Sequence, residues 1–468
     1  MIIFEFSKLL LPFENGKINN SKLNSNAVSK VSNSNMPKNS IINENSNSNL
    51  TPSLNTNLAS NLNSCHSNLT SPATNPMSTN SSDNIKESVI MFAVVTDKAN
   101  YYWVVLTKNY SINLYKIIQG SPLFKTVDFN NYAANGKKII IDGIQYDYTR
   151  KNTGELIKIG LSRPNDNICF LRSFKGIKRY SKFIPDIVKN HFISLLSSPD
   201  FTLTTSIVEV LFNEHDKNII PDIIGCLEGT GTFSPFLRYI FSDSVMNTDR
   251  ADFLFKNSSV CTYLASNIFY MKGNLLLKPI IEQIKCNKDS PIGAIASIIA
   301  QSSNLPLSLR FVLQNVFKSS RRKFPYNLTP LHVLSDFFMF RFIFPAMVTD
   351  QGLADKSLTD IGKSIGNAFM FKRDDPSVND EGLLKSIAAF LLDITKIDSQ
   401  AVDIQKINFE NIVFFLDSYN DKLIKNFTHK KEKRIHPFTW SMVEIIENCF
   451  VGCNENFAAE INASQLFA

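Results

Sequence analysis

A single arginine inside an apolar run is the feature that most constrains how this chain can fold. Residues 339–347 read MFRFIFPAM, a run that we expect to be helical and to end at Pro345, with Arg341 as its only charged residue. If the run is buried, an unpaired guanidinium costs several kcal/mol, so Arg341 needs backbone carbonyls or a carboxylate as partners. Alternatively, the arginine extends past its apolar neighbours to the surface. The run by itself favours this second interpretation.

Composition restricts the classes of protein to which the chain can belong. Its 468 residues suffice for roughly two to four domains, and 44% hydrophobic residues indicate that much of it folds. The net charge of +7 is mild for this length and does not indicate nucleic-acid binding. Seven dispersed cysteines indicate a reducing compartment and no zinc site. Residues 1–13 are apolar but too short and too charged for a signal peptide or a membrane span, so we predict a soluble cytoplasmic protein.

Changes in residue usage divide the chain into four regions. Residues 1–86 are rich in Asn and Ser and poor in aromatic residues, which predicts a disordered tract. Residues 87–184 are β-rich, and residues 185–430 have helical periodicity. We expect residues 431–468 to form a C-terminal helix and tail. A solvated linker is the favoured interpretation of the basic residues at its start, and a membrane-surface or partner-binding role is the alternative. The predicted fold class is therefore mainly α, with a small β-rich domain before the helical one.

Short segments rich in β-branched and aromatic residues predict the strands of the β-rich region, at residues 89–95, 101–106, 111–116, 138–142 and 156–161. Residues 102–116 resemble the first hairpin of a pleckstrin-homology domain, in which an aromatic strand pairs with one ending in a Leu-Tyr-Lys-like run. That resemblance implies a phosphoinositide-containing membrane as a partner, with Lys98 and Lys108 beside the strands. A protein-binding or purely structural β domain stays open as the alternative.

Apolar residues at helical spacing predict helices over residues 187–196, 206–212, 219–226, 234–241 and 275–284. Pro306 lies at a favoured early position of a further helix. The sequence has no Walker-type phosphate loop, no Gly-x-Ser-x-Gly elbow and no zinc-hydrolase helix. We therefore expect no self-contained enzyme active site and no cofactor.

Two segments in the helical region carry a second resemblance. Residues 339–347 are similar to the signature helix of Ras GTPase-activating proteins, the RasGAP family with its neurofibromin-like catalytic domain, which reads approximately FLRFxxPAI. Residues 322–325, RKFP, are similar to the turn that precedes this helix in the family. Because the two matches occur in the family's order and spacing, they imply an all-helical RasGAP-type domain over residues 185–430.

Residues 254–261, LFKNSSVC, are similar to the finger loop of that family, which reads approximately LFRGNSLA. The resemblance puts Lys256 at the position of the arginine that the family inserts into the GTPase. Lysine keeps the positive charge but lacks the planar fork that binds two phosphate oxygens, which predicts weakened stimulation. In the family the loop precedes a helix and a Leu-x-Pro-like turn, expected here at residues 276–279. The other loop residues expected to contact the GTPase are Leu254, Phe255, Asn257 and Ser258.

The resemblance assigns Arg341 a different role, which is to steady the finger loop through hydrogen bonds to its backbone. Residues 364–367, SIGN, match a run in the family's next helix, but Asp360 falls where the family has a Ras-binding lysine. A carboxylate there would repel an acidic GTPase surface by roughly 1 kcal/mol, unless a nearby lysine compensates. The further residues expected at the GTPase interface are Pro345, Asp360, Lys363 and Asn367.

These resemblances imply a regulator that binds the GTP form of a Ras-family small GTPase and stimulates hydrolysis in trans. It would act in the cytoplasm, recruited to the inner face of the plasma membrane through the β-rich domain. Lys256 and Asp360 leave an alternative open, a RasGAP-fold adaptor that binds the GTPase without stimulating it. A helical scaffold that has lost the GTPase is a third interpretation, favoured if the surface around Lys256 and Arg341 is acidic or occluded.

Overall fold

The computed structural model describes eleven stretches of the chain, all within the unit Asn84–Ala468: residues 88–98, 100–128, 132–135, 138–149, 153–162, 167–287, 289–325, 329–351, 356–372, 380–397 and 407–432. The Asn/Ser-rich tract that we predict to be disordered lies outside these residues. The C-terminal region beyond residue 432 does too.

Antiparallel strands form a sheet in the order β4-β3-β2-β1-β7-β6-β5. The strand predictions at residues 89–95, 101–106, 111–116 and 138–142 are confirmed, whereas β4, β5 and β7 were not predicted. The strands are β1 (Val89–Asp97), β2 (Asn100–Thr107), β3 (Ser111–Lys116), β4 (Leu123–Asp128), β5 (Tyr132–Asn135), β6 (Lys138–Ile141) and β7 (Ile144–Tyr148).

Strand β1 is buried on both faces, which explains its almost continuous apolar sequence. Phe92 contributes to a core shared with the helices, and Met91 to a second core within the β-rich region. Hydrogen bonds attach the sheet to the segments that follow it: Trp103 Nε1 donates to Phe183 O (2.5 Å), and Phe92 N donates to Ser173 Oγ (3.1 Å). The sheet and the helices therefore stabilise each other.

Helices make up most of the remaining described chain, which confirms a mainly α fold preceded by a small β-rich region. Each predicted helix coincides with an observed one, although the helix predicted from residue 219 begins at Ile220, and Pro306 is the N-cap of a helix that begins at Leu307. The helices are α1 (Thr153–Ser162), α2 (Asn167–Ser173), α3 (Asp186–Leu196), α4 (Thr202–Glu214), α5 (Ile220–Gly229), α6 (Phe233–Met246), α7 (Val260–Cys286), α8 (Pro291–Ala300), α9 (Leu307–Lys323), α10 (Thr329–Phe338), α11 (Phe344–Gln351), α12 (Lys356–Phe369), α13 (Glu381–Asp393), α14 (Phe409–Ser418) and α15 (Asn420–Glu432). Within the described chain, none of these helices combines the length and the apolar character needed to cross a bilayer.

The strand prediction at residues 156–161 is wrong, because this segment lies in α1. Ile157 and Gly160, three residues apart, are both buried. A Cβ at Gly160 would lie only 3.0 Å from Met91 Cγ, so α1 packs closely on β1. The apolar spacing is that of a helix face and not the two-residue alternation of a strand.

Two prolines lie inside continuous helices where we expected breaks. The run predicted to end at Pro345 instead continues into α11 through a π turn, Met339–Ile343, in which Phe344 N donates to Met339 O. The wider turn gives the proline ring room that a regular α-helix would not. The Leu-x-Pro turn expected at residues 276–279 is likewise absent, because α7 continues through Pro279. Leu275, four residues earlier, is 92% exposed, so water can replace the missing donor to its carbonyl.

Candidate functional site

The finger loop, residues 254–259, connects a 3₁₀ turn, Ala251–Phe253, to the start of α7. Its C-terminal end is held by a capping box, in which Thr262 N donates to Ser259 Oγ (3.2 Å) and Ser259 N donates to Thr262 Oγ1 (2.9 Å). The Thr262 hydroxyl also donates to Asn257 O at 3.1 Å. The first turn of α7 therefore restrains the end of the loop that follows Lys256.

The first residues of the loop are anchored in the core. Leu254 and Phe255 are both buried, and the Phe255 ring packs at 5.5 Å from the Phe241 ring and 5.3 Å from the Phe337 ring. Phe255 has a positive φ of 57°, a conformation that costs a non-glycine residue roughly 1–3 kcal/mol. The side chains of Leu254 and Phe255, which we expected at the GTPase interface, thus lie inside the domain and hold the loop.

Arg341, on the π turn, donates hydrogen bonds to three successive carbonyls of the loop. Its Nη2 lies 2.7 Å from Phe255 O, 2.9 Å from Lys256 O and 3.3 Å from Asn257 O, and its Nε lies 3.3 Å from Phe255 O. Burial lowers the pKa of Arg341, but the ordinary pKa of arginine is high enough that the group stays charged. The half-buried guanidinium therefore has backbone partners, and these bonds oppose the strain at Phe255.

Close packing places the π turn beside its neighbouring helices. A Cβ at Gly273 of α7 would lie 2.4 Å from Phe342 Cε2, so the two elements approach to a distance that only glycine allows. A Cβ at Gly366 of α12 would lie 2.9 Å from Phe344 Cζ. The glycine of the SIGN run thus packs against the helix that follows Arg341.

Lys256 is the charged residue at the tip of the finger loop. Its side chain is 48% exposed, and its Nζ lies 3.4 Å from Oδ2 of Asp336, whose side chain is only 24% exposed. Burial raises the pKa of the Asp336 carboxyl, and the positive charge of Lys256 opposes that rise. Asn257 and Ser258 beside it are exposed. The Lys256 amine is therefore paired with a carboxylate of α10.

An open cleft of about 360 Å³ lies beside this ion pair. Burial lowers the pKa of His332 within it, and Asp336, one helical turn further on, opposes that change. The cleft thus combines two carboxylates, one amine and one imidazole with apolar walls. Its lining residues are Ala251, Asp252, Lys256, Thr329, His332, Val333 and Asp336.

The other expected interface residues lie on α11 and α12. Asp360 and Lys363 form an exposed ion pair, with Lys363 Nζ 3.1 Å from Asp360 Oδ1. Lys363 therefore offsets part of the negative charge that Asp360 would present to a partner. Pro345 and Asn367 are half-buried.

Residues 293–358 match the RasGAP family model, described as GTPase-activator protein for Ras-like GTPase. Over this segment the chain is similar to RasGAP proteins. The segment includes Arg341 and Asp336, whereas the finger loop and the β-rich region lie outside it. No curated protein matched the chain.

The RasGAP segment confirms the family resemblance of the signature helix and supports regulation of Ras-like GTPases at the family level. The pleckstrin-homology resemblance stays a prediction. Sequence reasoning missed Asp336, the partner of Lys256. Its signal was a carboxylate five residues before Arg341 in the run SDFFMFR, where a second charge among aromatic residues also needs a partner.

Proposed function

We propose that this chain binds the GTP form of a Ras-family GTPase and stimulates GTP hydrolysis in trans, with Lys256 as the finger. The observation that carries the proposal is the set of hydrogen bonds from Arg341 to the carbonyls of Phe255, Lys256 and Asn257. They hold in shape the backbone that presents Lys256. The match of residues 293–358 to the RasGAP model supports a Ras-like GTPase as the partner.

The chemistry requires a cation that a partner can deliver to the transferred phosphoryl group. Charge develops on the phosphoryl oxygens in the transition state, and an arginine supplied in trans contributes on the order of 10³–10⁵-fold. Lys256 carries one positive charge on an exposed loop whose backbone is fixed. An ammonium makes single contacts and is strongly hydrated, so we expect stimulation well below that of an arginine finger.

The surface that contacts the GTPase around Lys256 would be formed by Asn257, Ser258 and the Asp360–Lys363 pair. Asn257 and Ser258 are exposed next to Lys256, and the ion pair is exposed on α12. Leu254 and Phe255 would act from the core by fixing the loop. Pro345 and Asn367 would contribute only their exposed parts.

The second candidate function is an adaptor that binds the GTPase without stimulating hydrolysis. One observation favours it: Lys256 is already paired with Asp336 in the free chain. An amine held by a carboxylate is less available to a phosphate than a solvated one. A test of the proposed function must therefore separate binding from stimulation.

The decisive experiment is single-turnover GTP hydrolysis by a panel of Ras-family GTPases with the full chain, beside pull-down of the GTP-loaded GTPase. We expect Lys256→Ala to abolish stimulation and Lys256→Arg to raise it by about tenfold or more, because arginine restores bidentate phosphate contacts. Both variants should retain binding. GTP-dependent binding without stimulation by the wild type or Lys256→Arg would make the chain an adaptor, and absence of both would leave the helical scaffold.

Recruitment to a membrane stays a prediction. It rests on the hairpin resemblance and on two lysines at the turns that flank β2. Lys98 has a positive φ of 48° after β1, and Lys108 lies in the turn between β2 and β3. Flotation of the chain with phosphoinositide-containing and phosphoinositide-free vesicles tests it.

A further inference from the structure

We propose that Asp336 is a positioning residue of this site, which holds the Lys256 amine against α10 in the free chain and thereby limits stimulation of GTP hydrolysis. The inference rests on the proposed role of Lys256 as the finger. It concerns a residue that the resemblance to the family does not assign.

The backbone of the finger loop is restrained, so Lys256 can move mainly by changing the conformation of its side chain. Arg341 binds the backbone on both sides of Lys256, and the capping box restrains the end of the loop. Asp336 lies on α10, within the packed helical region, and its side chain is only 24% exposed. The amine that reaches it at 3.4 Å is therefore held by a rigid partner. To reach a phosphate, the lysine has to change rotamer and give up this carboxylate.

Lys256 cannot pair with Asp336 and bind a phosphate at the same time, for an electrostatic reason. A carboxylate this close to the amine would lie close to any phosphate that the amine bound, and the two anions would repel each other. The titratable groups that face Asp336 are Lys256 on the loop, His332 on its own helix and Lys372 after α12, with Asp252 on the same cleft. Because the Lys256 end of the pair is about half exposed to solvent, breaking the pair should change the rate by no more than about fivefold.

Acidification should weaken the limit that Asp336 places on the stimulation of GTP hydrolysis. Burial raises the pKa of Asp336 above the ordinary value of an aspartate, and the nearby cations only partly oppose this. When pH falls through that raised pKa, Asp336 takes up a proton and loses its hold on Lys256. The release therefore begins at a higher pH than it would for an ordinary aspartate.

The test uses the full chain with Asp336→Asn, Asp336→Glu and, as a matched control, Asp252→Asn. The control removes one negative charge from the same cleft but leaves the Lys256–Asp336 pair intact; Asp252 is bound to Arg250 at 2.9 Å. Two readouts are needed. One is the rate at which an N-hydroxysuccinimide ester acylates Lys256, followed by peptide mass spectrometry, and the other is single-turnover GTP hydrolysis.

We expect Asp336→Asn to raise both the acylation rate of Lys256 and the stimulation by about three- to fivefold. Asp252→Asn should change neither by more than about 1.5-fold, because that charge is exposed and paired elsewhere. Asp336→Glu should stay near the wild type, since it keeps a carboxylate in reach. The advantage of Asp336→Asn over the wild type should shrink as the pH is lowered toward the raised pKa of Asp336.

The outcomes separate the inference from the proposed function. If Lys256→Ala abolishes stimulation but Asp336→Asn leaves it unchanged or lowers it, the inference is wrong and the finger assignment stands. An unchanged acylation rate in Asp336→Asn would also overturn the inference, because the amine would then not be held. If no variant stimulates hydrolysis, Lys256→Arg included, the proposed function is wrong. The inference about Asp336 is then wrong too, because there is no stimulation for Asp336 to limit.

Discussion

Two arginines of this chain use the same chemistry in two different regions. Arg341 donates to the carbonyls of residues 255–257, which are consecutive in one loop. Arg310, on α9, donates to Leu305 O and Ser302 O on one side and to Asp393 O and Lys396 O on the other. Arg341 thus shapes a single exposed loop, whereas Arg310 ties the segment before α9 to the end of α13.

The difference shows that binding of carbonyls by a half-buried arginine does not by itself mark a functional site. What distinguishes Arg341 is the loop that it holds. That loop contains a strained Phe255 and presents an exposed lysine, and its neighbour Asp336 lies in an open cleft. Backbone strain of this kind is more frequent at functional sites than elsewhere. Arg310 therefore serves as a matched control for Arg341.

The largest effect that we expect separates the two arginines by function. Arg341→Ala should lower the stimulation of GTP hydrolysis by about 100-fold, because a displacement of the finger by about 1 Å is enough for a loss of that size. Single-turnover hydrolysis at matched concentrations of folded protein measures it. Arg310→Ala should keep stimulation within about twofold of the wild type. An equal loss in both variants would mean that Arg341 acts only through general stability.

The second effect separates the two arginines by stability. Arg310→Ala should lower the free energy of unfolding by about 2–3 kcal/mol, because carbonyls at the end of α13 lose a charged donor. Arg341→Ala should lower it by less, since Lys256 O and Asn257 O belong to exposed residues that water can reach. Urea titration followed by circular dichroism gives both values. A larger destabilisation by Arg341→Ala would reverse the assignment of structural and functional roles.

The smallest effect that we expect concerns the capping box at the start of α7, which also restrains the finger loop. Ser259→Ala removes the N-cap of α7 and should lower the free energy of unfolding by about 1 kcal/mol. We expect stimulation to fall less than threefold, because Arg341 still holds the backbone around Lys256. Ser259→Asp keeps a capping oxygen and should restore stability in the same urea titration. A collapse of stimulation in Ser259→Ala would shift the main support of the loop from Arg341 to the capping box.

Local sequence patterns predicted elements in both the β-rich region and the helical region. Alternating and β-branched residues predicted strands that became β1, β2, β3 and β6, and helical spacing predicted the helices around the finger loop. The errors have local causes too. Residues 156–161 were assigned to a strand because a short apolar run fits either period. Pro279 and Pro345 were expected to break helices, but an exposed carbonyl and a π turn accommodate them.

The sequence by itself determined that Arg341 lies among apolar residues, that it needs partners if buried, and that its run resembles the signature helix of a family. The resemblance, and not the apolar run, predicted the backbone of the finger loop as the partner of Arg341. Only the tertiary structure decided which carbonyls accept its hydrogen bonds, because Arg341 and Lys256 are 85 residues apart in the chain. The same holds for Lys256 and Asp336, which meet across the cleft between the finger loop and α10. Helix and strand preferences act over a few residues, whereas such contacts are set by how α7, the π turn and α10 pack. Phe342 against Gly273 is an example of that packing.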